Sequence, residues 1–107
     1  DQVATGGDGV WAPFFGRPAY TPTLAASLQR KTGADVFFIA AERLSWGRGF
    51  RLHVLPLGEA LPEDKALAAT HINQGVEAVV RLFPAQYMWS YNRYKKPGNA
   101  PDPDADA

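Results

Sequence analysis

Two histidines, His53 and His71, are the side chains of this 107-residue chain best suited to acid–base catalysis. A histidine base is usually oriented by a carboxylate, yet positions 58 and 76, five residues further on, are Gly and Val. His53 alternates to the polar side of a predicted strand, and His71 lies beside the apolar stripe of a predicted helix. We therefore interpret both as structural or surface residues and expect no catalytic residue in this chain.

Chemistry that depends on thiols, metals or phosphate loops is not indicated either. The chain has no cysteine, which excludes disulfides, a thiol nucleophile and cysteine-ligated zinc. Two isolated histidines without clustered carboxylates lack the ligand spacing of a metal site. Glycines 6, 7 and 9 precede a predicted strand, whereas a phosphate-binding loop follows a strand and opens a helix. We expect neither a metal ion nor a cofactor.

Aromatic and basic residues are mixed in the segment 86–96, QYMWSYNRYKK. One interpretation is a capping turn whose aromatic rings close the core. The others are phosphate binding, contact with a membrane surface through Trp, Tyr and Lys, and stacking on nucleic acid. The residue types leave all four interpretations open.

The net charge is zero, but the central part of the chain is basic. Eleven basic residues balance eleven acidic ones, but five of the acidic residues lie in segments 1–8 and 102–106. Residues 9–96 therefore hold eleven basic and six acidic residues. This excess either attracts an anionic partner, such as phosphate headgroups, an acidic carrier protein or nucleic acid, or mainly aids solubility.

A strand and a helix open the predicted domain. Residues 9–14 have the apolar content of a buried strand, and a glycine and a proline end it. A helix is predicted from Thr21 and Pro22, residue types that suit a helix start, to Gly33, which suits its end. Its predicted inner face consists of Leu24, Ala25 and Leu28.

A hairpin and a long helix follow. Strands are predicted over 35–41 and 50–57, joined by a turn over 45–49, with the second strand half exposed. Its apolar set is Phe50, Leu52 and Val54, against the polar Arg51 and His53. The longest helix is predicted over 62–83, with Ala68, Ile72, Val76, Val79 and Phe83 on one apolar stripe.

The end of the chain is predicted to be irregular. Pro84 ends or kinks the long helix, and residues 85–91 can form another helical turn. From Lys96 onward the chain is expected to be mobile, and residues 97–107 are interpreted as a disordered tail rich in Asp, Pro and Ala.

The order strand–helix–strand–strand–helix predicts the α/β class, with a mixed sheet and helices covering at least one face. The first strand–helix–strand unit favours a right-handed parallel crossover, after which the hairpin adds an antiparallel strand. Residues 36–39 are apolar on both faces, as in a strand in the middle of a larger sheet. No internal repeat and no second domain is indicated.

Four motifs occur in order along residues 1–97. They are GVWAPFFG at 9–16 followed by Ala19 and Thr21, TGA at 32–34, GFRL at 49–52, and PAQYMW at 84–89 ending in RYK at 93–95. Together they resemble the C-terminal part of the bacterial lipid A biosynthesis acyltransferases (lauroyl and myristoyl transferases), in the lysophospholipid acyltransferase superfamily. No single motif carries the resemblance; their order does.

The resemblance implies an enzyme at the cytoplasmic face of the bacterial inner membrane. Such an enzyme moves a fatty acyl chain from acyl carrier protein to a hydroxyl on a Kdo-bearing lipid A precursor. The family uses a histidine as general base with an acidic residue five positions later, and that pair is absent here. We expect residues 1–96 to form the C-terminal part of a single acyltransferase domain, about the last third of the enzyme, and to be inactive alone.

The family pattern places Asp1, Gln2 and the turn Phe14-Phe15-Gly16 near the acyl-transfer cleft. Basic residues are candidates for lipid A phosphates, sugar carboxylates or acidic carrier protein, since a planar guanidinium can donate two hydrogen bonds at once. These candidates are Arg17, Arg43, Arg93, Lys95 and Lys96, and Trp89 lies in the same C-terminal motif. For Arg93 the main alternative is an internal salt bridge that closes the last helical turn.

The alternative hypothesis is an independent α/β binding module. It would use Trp46, Arg48, Phe50 and Arg51 on the hairpin, with the C-terminal aromatic residues, to hold nucleic acid or another acidic partner. Under the acyltransferase hypothesis we expect no nucleic acid partner, but we do expect contact with the membrane surface. Self-association of this segment over exposed sheet is also possible.

Overall fold

The first structural unit is a hairpin that the sequence predicts only in part. The structure is a computed structural model that describes residues 1–5 and 7–104. Strand β1 (Gly9–Phe14) pairs antiparallel with β2 (Arg17–Pro22), and Phe14 faces Arg17 across the turn. Strand β2 is not predicted from the sequence because prolines are typical of turns and helix starts. They are tolerated here since neither strand of a two-stranded sheet has a second neighbour to bond.

Helix α1 (Leu24–Thr32) begins two residues later than predicted and turns a different face inward. Thr23 occupies its N-cap position, and Gly33 ends it with a φ of 69° and an N–H donated to the Gln29 carbonyl at 2.7 Å. The predicted inner face is wrong, because Ala25 is exposed and so are both leucines. Leu24 and Leu28 are 65% and 51% exposed, and Ala26 is the buried residue of the helix.

The second hairpin forms as predicted, within two residues. Strand β3 (Phe37–Arg43) pairs antiparallel with β4 (Phe50–Pro56), and Ala40 lies opposite His53. Between them is a single 3₁₀ turn, Ser45–Gly47. At its centre Trp46 has a φ of 61° and is 95% exposed.

Helix α2 (Lys65–Leu82) connects the two hairpins. The Asp64 carboxylate caps its first turn by accepting from the Leu67 N–H at 2.9 Å. Its buried residues are Ala68, Ala69, Asn73 and Val80. Of the predicted stripe, Ala68 is buried, whereas Ile72, Val76, Val79 and Phe83 are half-buried. The helix is rotated from the expectation because the missed β1–β2 hairpin packs on the side of Asn73.

The α/β class is confirmed, but the strands do not share one sheet. Within the described residues, β1 pairs with β2 and β3 pairs with β4, so the predicted parallel crossover is absent. A two-residue turn gives β1 an antiparallel partner before the helix begins, and this local pairing replaces the predicted non-local one.

The apolar side chains of strand β4 point outward. Phe50, Leu52 and Val54 are 66%, 64% and 51% exposed, and the neighbouring Ile39 is 66% exposed. The inner face carries Phe38, which lies on Gly75 of α2, where a Cβ atom would overlap the ring. That residues 36–39 belong to the middle of a larger sheet stays a prediction.

The core joins the first hairpin to α2. Tyr20 and Phe14 are each 1% exposed, and Ala12 and Ala19 beside them are buried. Strand β1 packs against α2, whose own buried residues include Ala68, Ala69 and Val80. None of the helices in residues 1–5 and 7–104 has the length and apolar character to span a bilayer.

The chain after α2 returns across both hairpins. A single 3₁₀ turn, Pro84–Gln86, replaces part of the predicted helical turn over 85–91. Further on, the Pro101 carbonyl accepts from the Trp11 indole N–H at 2.8 Å, and Lys96 pairs with Asp102. Disorder of the segment 97–107 stays a prediction, and residues 105–107 lie outside the described part of the chain.

Candidate functional site

The turn between β1 and β2 shapes the candidate site. Phe15 and Gly16 have φ values of 49° and 76°, and two successive positive φ angles are typical of a type I′ hairpin turn. Glycine adopts this conformation freely, whereas for Phe15 it costs on the order of 1 kcal/mol. The turn directs the Phe15 ring towards Trp89, with ring centres 6.1 Å apart.

An aromatic–arginine cleft of about 500 Å³ lies between this turn and the segment 87–94. Its lining includes Phe14, Phe15, Arg17, Tyr87, Trp89 and Tyr94. The Arg17 guanidinium lies over the Tyr94 ring, 4.0 Å from its centre, and that of Arg81 lies 5.0 Å from the Phe15 ring centre. Trp89 is 59% exposed, and its indole N–H is donated to the Pro84 carbonyl at 2.8 Å. The cleft therefore combines exposed aromatic surface with cations held in place.

Arg93 lies beneath the cleft and is satisfied from within the protein. It is 3% exposed, and its Nε donates to the Asp1 Oδ1 at 2.7 Å. Its terminal nitrogens donate to the Tyr20 carbonyl, at 3.2 Å, and to the Thr21 hydroxyl, at 3.0 Å. Of the two interpretations of Arg93, the structure therefore shows an internal salt bridge, with Asp1 as partner. Direct contact with a substrate anion stays a prediction.

Buried polar side chains from two other elements complete this network. Asn73 of α2 is 1% exposed, and its amide donates to the Thr21 hydroxyl at 3.1 Å and to the Pro13 carbonyl at 3.2 Å. Its Oδ1 accepts from Arg93 at 3.4 Å. Each polar atom thus has a partner in the low-dielectric interior, where an unpaired one is costly.

Tyr87 extends the network to the surface of the site. Its hydroxyl donates to the second carboxylate oxygen of Asp1 at 2.6 Å. Burial raises the pKa of the Tyr87 phenol above its ordinary value, and the positive charge of Arg93 opposes part of that shift. Burial likewise lowers the pKa of the Arg93 guanidinium, partly countered by the phenols of Tyr87, Tyr91 and Tyr94.

An apolar cavity of about 410 Å³ lies on the other side of Tyr87. Its walls come from β3, from α2 and from the residue that follows α2. They include Ala40, Ala41, Val76, Val79, Val80 and Phe83. Its polar lining residues include Asp1, Gln2 and Gln86. Tyr87 and Tyr91 line both this cavity and the aromatic–arginine cleft, so the two spaces share a wall.

The predicted site residues fall into two groups. Those around the cleft and the cavity rim come together: Asp1, Gln2, Phe14, Phe15, Gly16, Arg17, Trp89 and Arg93. Arg43, Lys95 and Lys96 are exposed and are not part of the lining of either space. Arg43 ends β3, where its backbone exchanges two hydrogen bonds with the Gln86 amide. Substrate contact by any of these residues stays a prediction.

Sequence reasoning missed Asn73, Thr21 as a buried acceptor, and the three tyrosines of the segment 87–94. Asn73 carries one signal, since it is a polar residue within the apolar half of a long helix. Thr21 gave the opposite signal because a threonine before proline is typical of a helix start. The tyrosines were recognised only as part of an aromatic segment with four possible roles.

Each histidine is paired with a glutamate from another segment. The His53 Nε2 lies 2.9 Å from the Glu42 Oε1 on the neighbouring strand, and its ring packs 5.2 Å from that of Phe83. The His71 Nδ1 lies 3.3 Å from Glu59. Neither histidine lines the cleft or the cavity that share Tyr87. Nowhere in residues 1–5 and 7–104 do three metal-ligating side chains come together.

Comparison with known families identifies the family of this chain. The family model described as bacterial lipid A biosynthesis acyltransferase matches residues 1–96. The chain belongs to this family. The family match covers both hairpins, both helices and the segment 87–94 that forms the cleft.

Curated relatives agree with this family. The chain is 34% identical over 88 residues to the lipid A biosynthesis lauroyltransferase of Escherichia coli K12, covering 80% of the chain. It is 31% identical over 86 residues, 79% of the chain, to the palmitoleoyltransferase of the same strain and to a lipid A biosynthesis acyltransferase of Shigella flexneri. The matched regions span 28–29% of the length of these three relatives.

Proposed function

We propose that the complete gene product transfers a fatty acyl chain from acyl carrier protein to a hydroxyl of a Kdo-bearing lipid A precursor. The reaction takes place at the cytoplasmic face of the bacterial inner membrane. In this proposal the present chain contributes substrate-contact surfaces, and the base that activates the acceptor hydroxyl lies outside these 107 residues. Family membership supports the reaction class, and the geometry of the site supports the division of roles.

The aromatic–arginine cleft is the observation that carries the proposal. Arg17 is exposed, yet its guanidinium lies over the Tyr94 ring, with Cζ 4.0 Å from the ring centre. A guanidinium with a fixed plane is well suited to bind the oxygens of a phosphate or carboxylate. Phe15 and Trp89 add exposed ring surface beside it. Together they fit a ring-shaped polar headgroup with an anionic substituent, which is the chemistry of a lipid A precursor.

The histidine contacts support placing the base elsewhere. Both imidazoles are already paired with glutamates, and neither faces the cleft or the cavity. A general base must reach the proton that it abstracts within hydrogen-bond distance or through one water. We therefore expect residues 1–107 alone to show no acyl transfer.

The test is a steady-state assay of the complete gene product with acyl carrier protein thioester and a Kdo-lipid A precursor. Arg17→Ala removes a charged hydrogen-bond donor worth about 1.5 kcal/mol, so we expect KM for the precursor to rise about tenfold with kcat little changed. Arg48→Ala is the matched control, because Arg48 is an exposed arginine whose contacts are confined to Ser45.

The outcomes separate the two hypotheses. Equal KM values for Arg17→Ala and wild type would show that the cleft does not bind the headgroup of the precursor. Absence of transfer to any lipid A precursor by the wild type would overturn the proposed reaction. A loss of affinity for nucleic acid in Arg48→Ala would instead support the binding module built around Trp46 and Arg48.

A further inference from the structure

We propose that the outer edge of β3 is a strand-binding surface, and that the residues preceding Asp1 in the complete gene product bind there as a parallel third strand. The surface is defined by backbone hydrogen-bonding groups. Its test therefore does not depend on the proposed acyl transfer.

Alternate residues of β3 turn their backbone groups away from β4. At one end of the hairpin the Leu57 N–H donates to the Val36 carbonyl, and at the other the Leu44 N–H donates to the Gly49 carbonyl, both at 2.9 Å. Antiparallel strands alternate between bonded and non-bonded pairs, so the even-numbered residues from 36 to 44 bond to β4. The backbone groups that face the outer edge are those of Phe37, Ile39, Ala41 and Arg43.

Gln86 shows that this edge accepts a partner. Its Oε1 accepts from the Arg43 N–H at 2.7 Å, and its Nε2 donates to the Arg43 carbonyl at 3.0 Å. The side-chain amide thus makes the two hydrogen bonds that a neighbouring strand would make. Within residues 1–5 and 7–104, β4 is the one strand bonded to β3, and no hydrogen bond reaches the outward backbone groups of residues 37, 39 and 41.

The other strand edges carry proline where the backbone faces outward. In the first hairpin the pair Phe14–Arg17 closes a two-residue turn, so the outward positions include Pro13, Pro18 and Pro22. On β4 the outward positions include Pro56. Proline has no N–H to donate and is a usual means of protecting an edge strand from pairing. Strand β3 has no proline, which favours an edge that is paired in the complete protein.

Two adjoining cavities leave room for a strand beside this edge. One, of about 410 Å³, is lined in part by Ala40 and Ala41, and the other, of about 310 Å³, by residues 36–39. Val76 and Val79 of α2 line both cavities and are half-buried. An added strand would cover these valines on one face and extend the exposed apolar surface of Ile39 on the other. It therefore needs apolar side chains on both faces, as strands inside a covered sheet have.

Asp1 indicates which segment fits this space. It lines both cavities, and its carboxylate accepts from Arg93 at 2.7 Å and from Tyr87 at 2.6 Å. Tyr87 follows Gln86, which is bonded to Arg43 at the last position of β3. Residues that precede Asp1 therefore begin near this end of β3 and have the free edge, back towards Phe37, beside them.

This course makes the added strand parallel to β3. Parallel neighbours need a crossover of about a dozen residues or more, and the chain between Asp1 and β3 supplies the first hairpin and α1. The parallel crossover predicted from the sequence would then lead from the added strand to β3, instead of from β1. The matched regions span 28–29% of the three curated relatives, so those proteins are long enough to hold further strands.

The first test is hydrogen exchange of the complete gene product, followed by mass spectrometry at single-residue resolution. We expect the N–H groups of Phe37, Ile39 and Ala41 to exchange at least about a hundredfold more slowly than in an unfolded chain, as those of Phe38 and Ala40 should. Exchange of the first three at the unfolded rate, with Phe38 and Ala40 protected, would overturn the proposal.

The second test identifies the added strand by disulfide formation. Ile39→Cys is combined with one cysteine at each of the positions before Asp1 in turn, and any other cysteine of the complete gene product is replaced by serine. Neighbouring strands lie about 4.8 Å apart, within the separation of about 4.4–6.8 Å between Cα atoms that a disulfide allows. We expect a disulfide at one or two alternate positions, because side chains on one face of a strand recur at every second residue.

Val54→Cys is the matched control. Val54 lies opposite Ile39 on β4, and the two side chains are 51% and 66% exposed. Val54 is one strand further from the edge, roughly 10 Å from the added strand, so we expect no disulfide with the same positions. Circular dichroism confirms that each variant is folded.

Each alternative arrangement gives a different result. A disulfide between two chains would assign the edge to a second copy of the protein. Equal disulfide formation by Ile39→Cys and Val54→Cys would place the segment on the outer face of the hairpin. No disulfide in the folded variants would show that this segment does not lie at the edge. Each of these results would overturn the proposal.

Strand pairing and acyl transfer fail independently. If Ile39→Cys traps the segment before Asp1 but no lipid A precursor is acylated, the strand-binding surface stands and the proposed reaction falls. If precursors are acylated but the outward N–H groups of β3 exchange at the unfolded rate, the proposed reaction stands and the strand-binding surface falls.

Discussion

Arg93 and Asp1 form a salt bridge, with 2.7 Å between Nε and Oδ1, at the centre of a polar network in the core. The side chains of Arg93 and Asp1 are only 3% and 18% exposed. Removing one partner of a buried pair leaves the other desolvated and without compensation. The salt bridge therefore makes Arg93 a positioning residue for Asp1 and, through it, for Tyr87.

Arg93→Ala is expected to lower the free energy of unfolding by about 3 kcal/mol, because the Asp1 carboxylate loses its buried counter-charge and the Tyr20 carbonyl and Thr21 hydroxyl each lose a donor. Urea unfolding of the protein, followed by circular dichroism, measures the change. Lys95→Ala, at an exposed neighbouring position, should change it by less than about 0.5 kcal/mol. Similar stabilities for the two variants would show that the network contributes no net stability.

Asn73→Leu is expected to cost about 2 kcal/mol, although leucine is the better helix former. The substitution replaces the side-chain amide that donates to the Thr21 hydroxyl and the Pro13 carbonyl by a larger apolar group. The measurement is the shift in urea midpoint relative to Asn92→Leu, an exposed asparagine in the same protein. A stability equal to that of the wild type would mean that the hydrogen bonds of Asn73 stabilise the protein no more than the apolar packing of a leucine does.

Gly75→Ala is expected to destabilise the protein by about 1 kcal/mol, the opposite of its effect in an isolated helix. A Cβ atom at this position would overlap the Phe38 ring. The free energy needed to move the ring away exceeds the gain in helix propensity. Phe38→Leu should reduce the penalty of Gly75→Ala in a double-mutant cycle. Additive effects of the two substitutions would contradict this packing explanation.

Tyr87 is expected to make stability depend on pH above about pH 10. Since burial raises its pKa in the folded state, the unfolded chain loses this proton first as the pH rises. Its contribution is therefore complete below about pH 10, where an unfolded tyrosine is still protonated, and is lost as the pH passes through the folded-state pKa.

Ultraviolet titration of phenolate formation tests this directly. The difference between wild type and Tyr87→Phe should contain one phenol that titrates later in the folded protein than in the urea-unfolded protein. Coincident titrations in the two states would contradict the raised pKa.

The sequence predicts elements whose signals are local. The second hairpin is recovered closely because Phe50, Leu52 and Val54 alternate clearly. Which face they turn inward is not encoded in that alternation, and the structure leaves them exposed. Likewise, β2 is hidden because Pro18 and Pro22 are typical of turns, while its pairing depends on an αL conformation at Phe15 that this residue type does not favour.

The candidate site was predictable as a region but not as a network. The resemblance brings Phe15, Arg17 and Trp89 to attention, and the structure places them around one cleft. Arg93 is inside because Asn73 and Thr21, from distant parts of the sequence, meet it there. These contacts depend on tertiary packing, and the spacing of the residues along the chain does not predict them.

The Arg93–Asp1 contact also has a consequence for the time course of synthesis. The two residues are 92 positions apart, and Tyr91 reaches back 88 positions to the Val3 N–H. On the ribosome, the first hairpin is complete long before its buried polar partner exists. The polar interior can therefore form only after residue 93 has left the exit tunnel, so the network closes through a contact of very high sequence separation.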